Sequence, residues 1–288
     1  MTLLANILID GIAYGMVLFI IAVGLSVTLG LMRFVNLAHG AFAMTGGYLA
    51  AWLVREQGLS FYAGASLAVL ATGILGALLE VTVLRRLYHR TELQQVLFTI
   101  GLTFLFVATA NLLAGPEVQL IPLPPALSQA VDLGIRTLPA QRLLVITSGL
   151  LIVLAAFWVL NKSRFGVWLR ATVDNTSAAS ALGIPVQLVY VTTFAVGAAL
   201  AGLGGILGAE LMPLEPYYPV KYLVLVLVVV AVGGMGSIAG SLVAALTLGI
   251  IDTASKYLAS DWGSLFFFLA MALLLAWRPH GLLMARKG

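Results

Sequence analysis

The chain has 288 residues, of which 61% are apolar and 9% charged, with 15 Lys and Arg against 11 Asp and Glu. A soluble domain averages about 45–50% apolar and about 25% charged residues, and a mean hydropathy of +1.08 cannot be hidden in a core that polar side chains must cover. Soluble enzymes, soluble binding modules and nucleic-acid-binding faces are excluded, and the continuous apolar runs do not alternate as a membrane β-barrel would.

What remains is an all-α, polytopic membrane helix bundle embedded in the lipid bilayer, read as one transmembrane domain over 1–288. A helix needs about 20 residues to cross the hydrocarbon. Nine stretches are candidates: 11–32, 34–54, 61–84, 94–115, 143–160, 187–209, 222–232, 238–255 and 262–277. Residues 1–10 hold no Lys or Arg and no cleavage pattern, so the first apolar segment is expected to stay in the mature protein. The second stretch is interrupted in character by Asn36, His39 and Gly40, and the third has Glu80 near its end. The seventh rises only about 16 Å before Gly233, Gly234 and Gly236. It either continues through these glycines or is a short, broken helix, which membrane depth tolerates only beside protein or a water-filled cavity.

Lys and Arg in short loops mark the cytoplasmic side. Ten positives (Arg33, Arg85, Arg86, Arg90, Lys162, Arg164, Arg170, Arg278, Arg286 and Lys287) fall on one side, and five (Arg55, Arg136, Arg142, Lys221 and Lys256) on the other. The N-terminus is therefore expected outside and the C-terminus in the cytoplasm. Residues 116–141, with Pro116, Pro122, Pro124, Pro125 and Pro139, read as an irregular external loop. The cytoplasmic loop 161–185 carries Arg164 and Arg170. In it Asp174 and Asn175 can cap a short helix through Ala178 and Ala179, stopped by Gly183 with Pro185 beyond. From its residues alone this loop is either a positive-inside connector or a small helix that a cytosolic partner grips.

Gly234, Gly236 and Ala239 spell G-x-G-x-x-A, but a dinucleotide site needs a βαβ unit. Here the glycines read as a helix break with close backbone approach, as does Gly240 at small-xxx-small spacing from Gly236. Asn36 and His39 read first as partners for broken backbone and second as ligand contacts. Glu210 and Asp252 read as outer-interface residues that meet water. The chain holds 3 His, 0 Cys and no Walker A, H-E-x-x-H or G-x-S-x-G sequence. No metal, no bound cofactor and no enzyme chemistry are expected of it.

The run Asn36-Leu37-Ala38-His39-Gly40 resembles the N-x-A-H-G signature of permeases in branched-chain amino acid ABC importers. Ser163-Arg164-Phe165-Gly166, Arg170-Ala171 and Ala178-Ala179 up to Gly183 resemble their coupling loop. Gly233 to Gly240 resembles their glycine-rich turn, and Arg278-Pro279-His280-Gly281-Leu282 their C-terminal end. The similarity is to the LivH-type member of the permease pair. It implies a permease that passes branched-chain or other small hydrophobic amino acids, or related amides or urea, into the cytoplasm. It implies as partners a second, LivM-type permease, two ATPase subunits that hold the ATP and Mg, and an extracytoplasmic substrate-binding protein. Arg164, Arg170, Asp174, Ala178, Ala179 and Gly183 would then contact the ATPase, and Asn36, His39, Gly40, Gly233, Gly234, Gly236 and Gly240 would be pathway candidates. The rival is a self-contained channel or secondary transporter, which needs intramembrane charges for a coupling ion; the first, fourth, fifth and sixth spans have essentially none.

Overall fold

The computed structural model describes residues 2–32, 34–132 and 137–277; the motif at 278–282 and the topology residues Arg33, Arg136, Arg278, Arg286 and Lys287 lie outside them. The chain runs α1 (Thr2–Leu31), α2 (His39–Arg55), α3 (Phe61–Thr82), a 3-10 turn (Leu84–Leu87), α4 (Glu92–Ala114), α5 (Pro125–Ser128), β1 (Ala130–Asp132) and β2 (Thr137–Pro139). It continues through α6 (Ala140–Lys162), α7 (Arg164–Asp174), α8 (Thr176–Ala181), α9 (Val186–Leu207), α10 (Tyr218–Gly233), α11 (Ile238–Leu258) and α12 (Gly263–Trp277). Among the described residues, six helices (α1, α3, α4, α6, α9 and α11) are long and apolar enough to cross a membrane. The protein is thus a polytopic all-α membrane protein.

Polar side chains at the helix starts satisfy backbone donors that lipid cannot. Ser60 caps α3, Ser237 caps α11, and Thr91 with Gln94 forms a reciprocal capping box on α4. The spanning helices are apolar over most of their surface, so the hydrophobic effect does not drive their association in lipid; close packing does. Glycines make it possible. A Cβ on Gly11 would lie 2.7 Å from the Ile250 Cα and one on Gly15 2.8 Å from the Ala245 carbonyl, which brings α1 against α11 backbone to backbone. Gly76 and Gly202 bring α3 and α9 together by making room for the Ala198 and Thr72 side chains, and Gly24 with Gly197 joins α1 and α9 backbone to backbone. The central helix is α1, whose residues from Ala13 to Leu25 are almost all buried.

These contacts follow an internal plan. α1 packs on α11 as α9 packs on α3; α2 packs on α3 and α4 as α10 packs on α11 and α12. The pairs Val17–Gly208, Ile21–Gly204 and Gly24–Gly197 run in opposite sequence directions, so α1 and α9 are antiparallel. The segments α1–α4 and α9–α12 are therefore an inverted-topology pair, an arrangement common in membrane transport proteins.

The structure departs from the sequence expectations in three places. The second stretch is not a continuous helix: residues 34–38 are non-helical and α2 begins only at His39. The loop 116–141 is more ordered than a Pro-rich coil, since it holds α5, the β1–β2 hairpin, and a bridge from Gln119 to Leu214. Asp252 does not simply meet water; it is buried and accepts from Lys256 Nζ at 2.6 Å.

Candidate translocation and coupling site

The non-helical residues 34–38 would leave backbone groups unpaired inside the bundle, where each such group costs several kcal/mol. One face of α4 supplies the partners. Gln95, Thr99 and Thr103 sit at i, i+4 and i+8, and all three are buried. Val35 N donates to Gln95 Oε1 at 3.1 Å, Leu37 N donates to Thr99 Oγ1 at 3.2 Å, and the Thr103 hydroxyl faces the Leu37 carbonyl at 3.4 Å. The extended chain thus climbs α4 as a strand climbs its neighbour, with side chains standing in for the neighbour's backbone. Gln95 also donates to the Leu87 and Arg90 carbonyls, each at 3.2 Å. Sequence reasoning missed these three residues, although polar side chains at helical spacing in an otherwise apolar span were the available signal.

At the top of this climb Asn36 makes a local turn, its Oδ1 accepting from Ala38 N at 3.1 Å. His39 Nε2 donates to the Ile21 carbonyl of α1 at 2.9 Å. Gly40 brings the start of α2 against the start of α10, where a Cβ would lie 3.2 Å from the Pro219 carbonyl. Two helices therefore begin inside the bundle with their N-termini facing one another. Asn36 is wholly buried, and its amide nitrogen has no hydrogen-bond partner among the described residues.

The glycine turn lies elsewhere. Gly233 and Gly240 pack backbone against backbone, Gly234 and Gly236 have φ of 93° and 82°, and Gly30 at the end of α1 meets Gly236. Gly30 is nine residues beyond Ile21, about 13 Å along the helix. Asn36, His39 and Gly40 thus form one group, and Gly233, Gly234, Gly236 and Gly240 another, separate from it. The second group closes a turn between α10 and α11 and leaves no room for a side chain at Gly233 or Gly240.

The loop 161–185 is built from two helices where one was expected. Ser163 caps α7 by accepting from Gly166 N at 3.2 Å, and Asn175 caps α8 by accepting from Ala178 N at 2.9 Å. Asp174 is the last residue of α7, so the cap expected of it falls to Asn175 alone. Gly183 takes a φ of 80° with open space around it, which identifies its role as conformational. Arg164, Arg170, Asp174, Ala178 and Gly183 are exposed, and the Arg170 guanidinium donates to the Leu160 carbonyl at the end of α6. Ala179 is different: at 2% exposure it faces its own chain, while Leu182 stands 81% exposed at the tip. Any docking surface on α8 is therefore the side that carries Ala178 and Leu182.

Behind the loop, Glu80 is fully buried at the end of α3. Arg85 donates to both its oxygens, from Nε at 3.3 Å and Nη2 at 3.1 Å, and the Tyr88 hydroxyl donates at 3.1 Å. Burial, followed by the charge of Glu80, pushes the Tyr88 hydroxyl above its usual value and keeps it a donor.

Residues 7–276 match the family model described as the permease component of branched-chain amino acid transport systems. The chain belongs to that family. It is 25% identical to the high-affinity branched-chain amino acid transport system permease protein LivH of Salmonella typhimurium, over 95% of this chain and 93% of the relative. It is 26% identical to a probable LivH of Methanocaldococcus jannaschii, over 90% of this chain and 83% of the relative. It is also 26% identical to LivM of Salmonella typhimurium, over 93% of this chain and 68% of that longer relative. No solved structure matches the chain. The protein is thus a permease subunit of an ABC importer, a multi-pass protein of the inner membrane, and is not itself the ATPase.

Proposed function

We propose that this permease pairs with a LivM-type permease, docks on two ATPase subunits and accepts branched-chain or similar small hydrophobic amino acids from an extracytoplasmic binding protein. ATP and Mg belong to the ATPase partners, and the permease binds no cofactor. Nine crossings (α1, α2, α3, α4, α6, α9, α10, α11 and α12) put the N-terminus outside and the C-terminus in the cytoplasm. The observation that carries the reading is the meeting of α2 and α10 inside the bundle. Helix N-termini are electropositive, so they suit the carboxylate of a zwitterion as it passes Asn36, His39 and Gly40. The glycine turn at Gly233, Gly234, Gly236 and Gly240 serves as a close-packed pivot under the end of α1, about 13 Å along that helix from His39.

Topology is tested by single-cysteine labelling of this cysteine-free chain. Ser163→Cys and Ala178→Cys should react with an impermeant maleimide only from the cytoplasmic side, and Pro124→Cys only from outside. Reaction of Ala178→Cys from outside overturns the assigned orientation.

Coupling is tested at the exposed tip. Leu182 offers an apolar knob on the loop that also exposes Arg164, Arg170, Asp174, Ala178 and Gly183, whereas a bulky residue at the inward-facing Ala179 would first disturb the permease itself. Leu182→Asp should remove ATPase subunits from the purified complex and lower leucine uptake by about tenfold or more, with membrane insertion unchanged. Intact co-purification and uptake would show that α8 is only a connector.

A further inference from the structure

The coupling loop and the climbing segment are joined by a chain of aromatic side chains. The Tyr190 hydroxyl of α9 lies 3.5 Å from Thr176 Oγ1, at the first residue of α8. The Tyr190 ring meets the Tyr88 ring edge-on, with centroids 5.3 Å apart. Tyr88 in turn meets Phe34 edge-on at 5.4 Å, and Phe34 also rests on Phe194 at 6.2 Å. Phe34 is wholly buried and opens the residues that lead to Asn36 and His39.

Each link resists displacement. Tyr88 is held by its hydroxyl on Glu80, and Arg85, which locks Glu80, also reaches Gln187 Oε1 at 3.4 Å at the start of α9. Gln95 binds the carbonyls of Leu87 and Arg90, on either side of Tyr88, and the N–H of Val35. The turn that carries Tyr88 and the segment that follows Phe34 are thus pinned to the same amide. Edge-on ring pairs prefer a narrow range of geometries, so movement of α8 or of the start of α9 pushes on residues 34–38 through Tyr88.

We propose that Tyr88 is a positioning residue that transmits movement of the coupling loop to the segment holding Asn36 and His39. This rests on the docking of α8 to the ATPase proposed above. Nucleotide-driven motion at the loop would shift the start of α2 relative to that of α10, and so alternately cover and uncover the place where their N-termini meet. The ring carries the push, and the hydroxyl keeps the ring in place.

The test uses the assembled importer in proteoliposomes, with leucine as the transported probe and Ala38→Cys as a reporter. Ala38 is wholly buried beside Asn36. With Tyr88 in place, trapping the ATPase with ATP and vanadate is expected to change the rate at which this cysteine reacts with a small methanethiosulfonate by about tenfold. Tyr88→Ala should abolish that dependence and lower leucine uptake about tenfold, while ATP hydrolysis by the complex continues. Tyr88→Phe keeps the rings but loses the anchor on Glu80, and should restore part of both. A full nucleotide response in Tyr88→Ala overturns the proposal, as does a parallel fall of uptake and ATP hydrolysis, or a reporter indifferent to nucleotide when Tyr88 is present. Failure of the docking reading is separately visible, because co-purification of ATPase subunits with Leu182→Asp does not involve Tyr88.

Discussion

Gln95→Leu is expected to abolish uptake and to lower the melting temperature of the purified permease sharply. The amide makes three bonds to backbone, one from Val35 N–H and two to the Leu87 and Arg90 carbonyls. Stranding a buried donor or acceptor costs about 1–3 kcal/mol. Arg90 is exposed and its carbonyl can turn to water, so the heaviest loss is the Val35 N–H. The Leu87 carbonyl keeps the Arg90 N–H at 2.9 Å, so the cost is about 1–3 kcal/mol for the stranded Val35 N–H plus the net worth of two lost bonds at about 0.5–1.5 kcal/mol each, a large share of the roughly 5–15 kcal/mol that holds a domain together. Thr99→Val strands only the Leu37 N–H and should be milder, while Thr99→Ser keeps the hydroxyl and should be close to neutral. Melting curves in detergent with leucine uptake in cells would check the order. Equal behaviour of Gln95→Leu and Thr99→Ser would mean that residues 34–38 are not anchored by α4.

Gly205→Leu is expected to leave almost no folded protein. A Cβ at Gly205 would fall on the Ala43 carbonyl of α2, and Gly46 of the same helix meets Gly202 of α9 just as closely. The obstacle is backbone, which cannot turn aside as a flexible side chain does, so α2 and α9 must separate along their length. Overpacking at a yielding site costs about 1–3 kcal/mol, and this site does not yield. Gly205→Ala should already lower the melting temperature by several degrees. Gly101→Ala on α4 is the control, because nothing lies within 4 Å of its Cβ position; there the change should be neutral or stabilising by about 0.5–1 kcal/mol, from helix propensity alone. Fluorescence-detected size-exclusion profiles and thermal melts of the three variants give the comparison, and a well-folded Gly205→Leu would refute the backbone contact.

Both results turn on residues that are unequally legible. The break before α2 is visible in Asn36, His39 and Gly40, because polar residues and glycine do not belong in the middle of an apolar span. The small helix after Asn175 is visible for a similar reason, with a cap residue before it and Gly183 and Pro185 after it. Gln95, Thr99 and Thr103 were not recognised, since three polar residues on a long apolar helix have no meaning until the chain they hold is known. The inward turn of Ala179 and the outward reach of Leu182 are not legible in the sequence. The phase of a six-residue helix is decided by what lies beneath it.

The sequence by itself determined that this is a helical membrane protein, which stretches are apolar enough to be buried in lipid or in one another, where the helices break, and to which family the motifs belong. These are local properties: composition, run length, capping residues and glycine spacing act through neighbours along the chain. Only the tertiary structure decided that α2 and α10 start inside the bundle and face each other, that α1–α4 and α9–α12 form an inverted pair, and that the glycine turn packs under the end of α1, apart from Asn36 and His39. The reason is physical. In a soluble protein the apolar stripe of a helix points to the core, but here lipid and core are equally apolar and the helices carry no such stripe. Which faces meet is settled by where backbones can approach and where unpaired backbone finds a partner, and both depend on residues far apart in sequence.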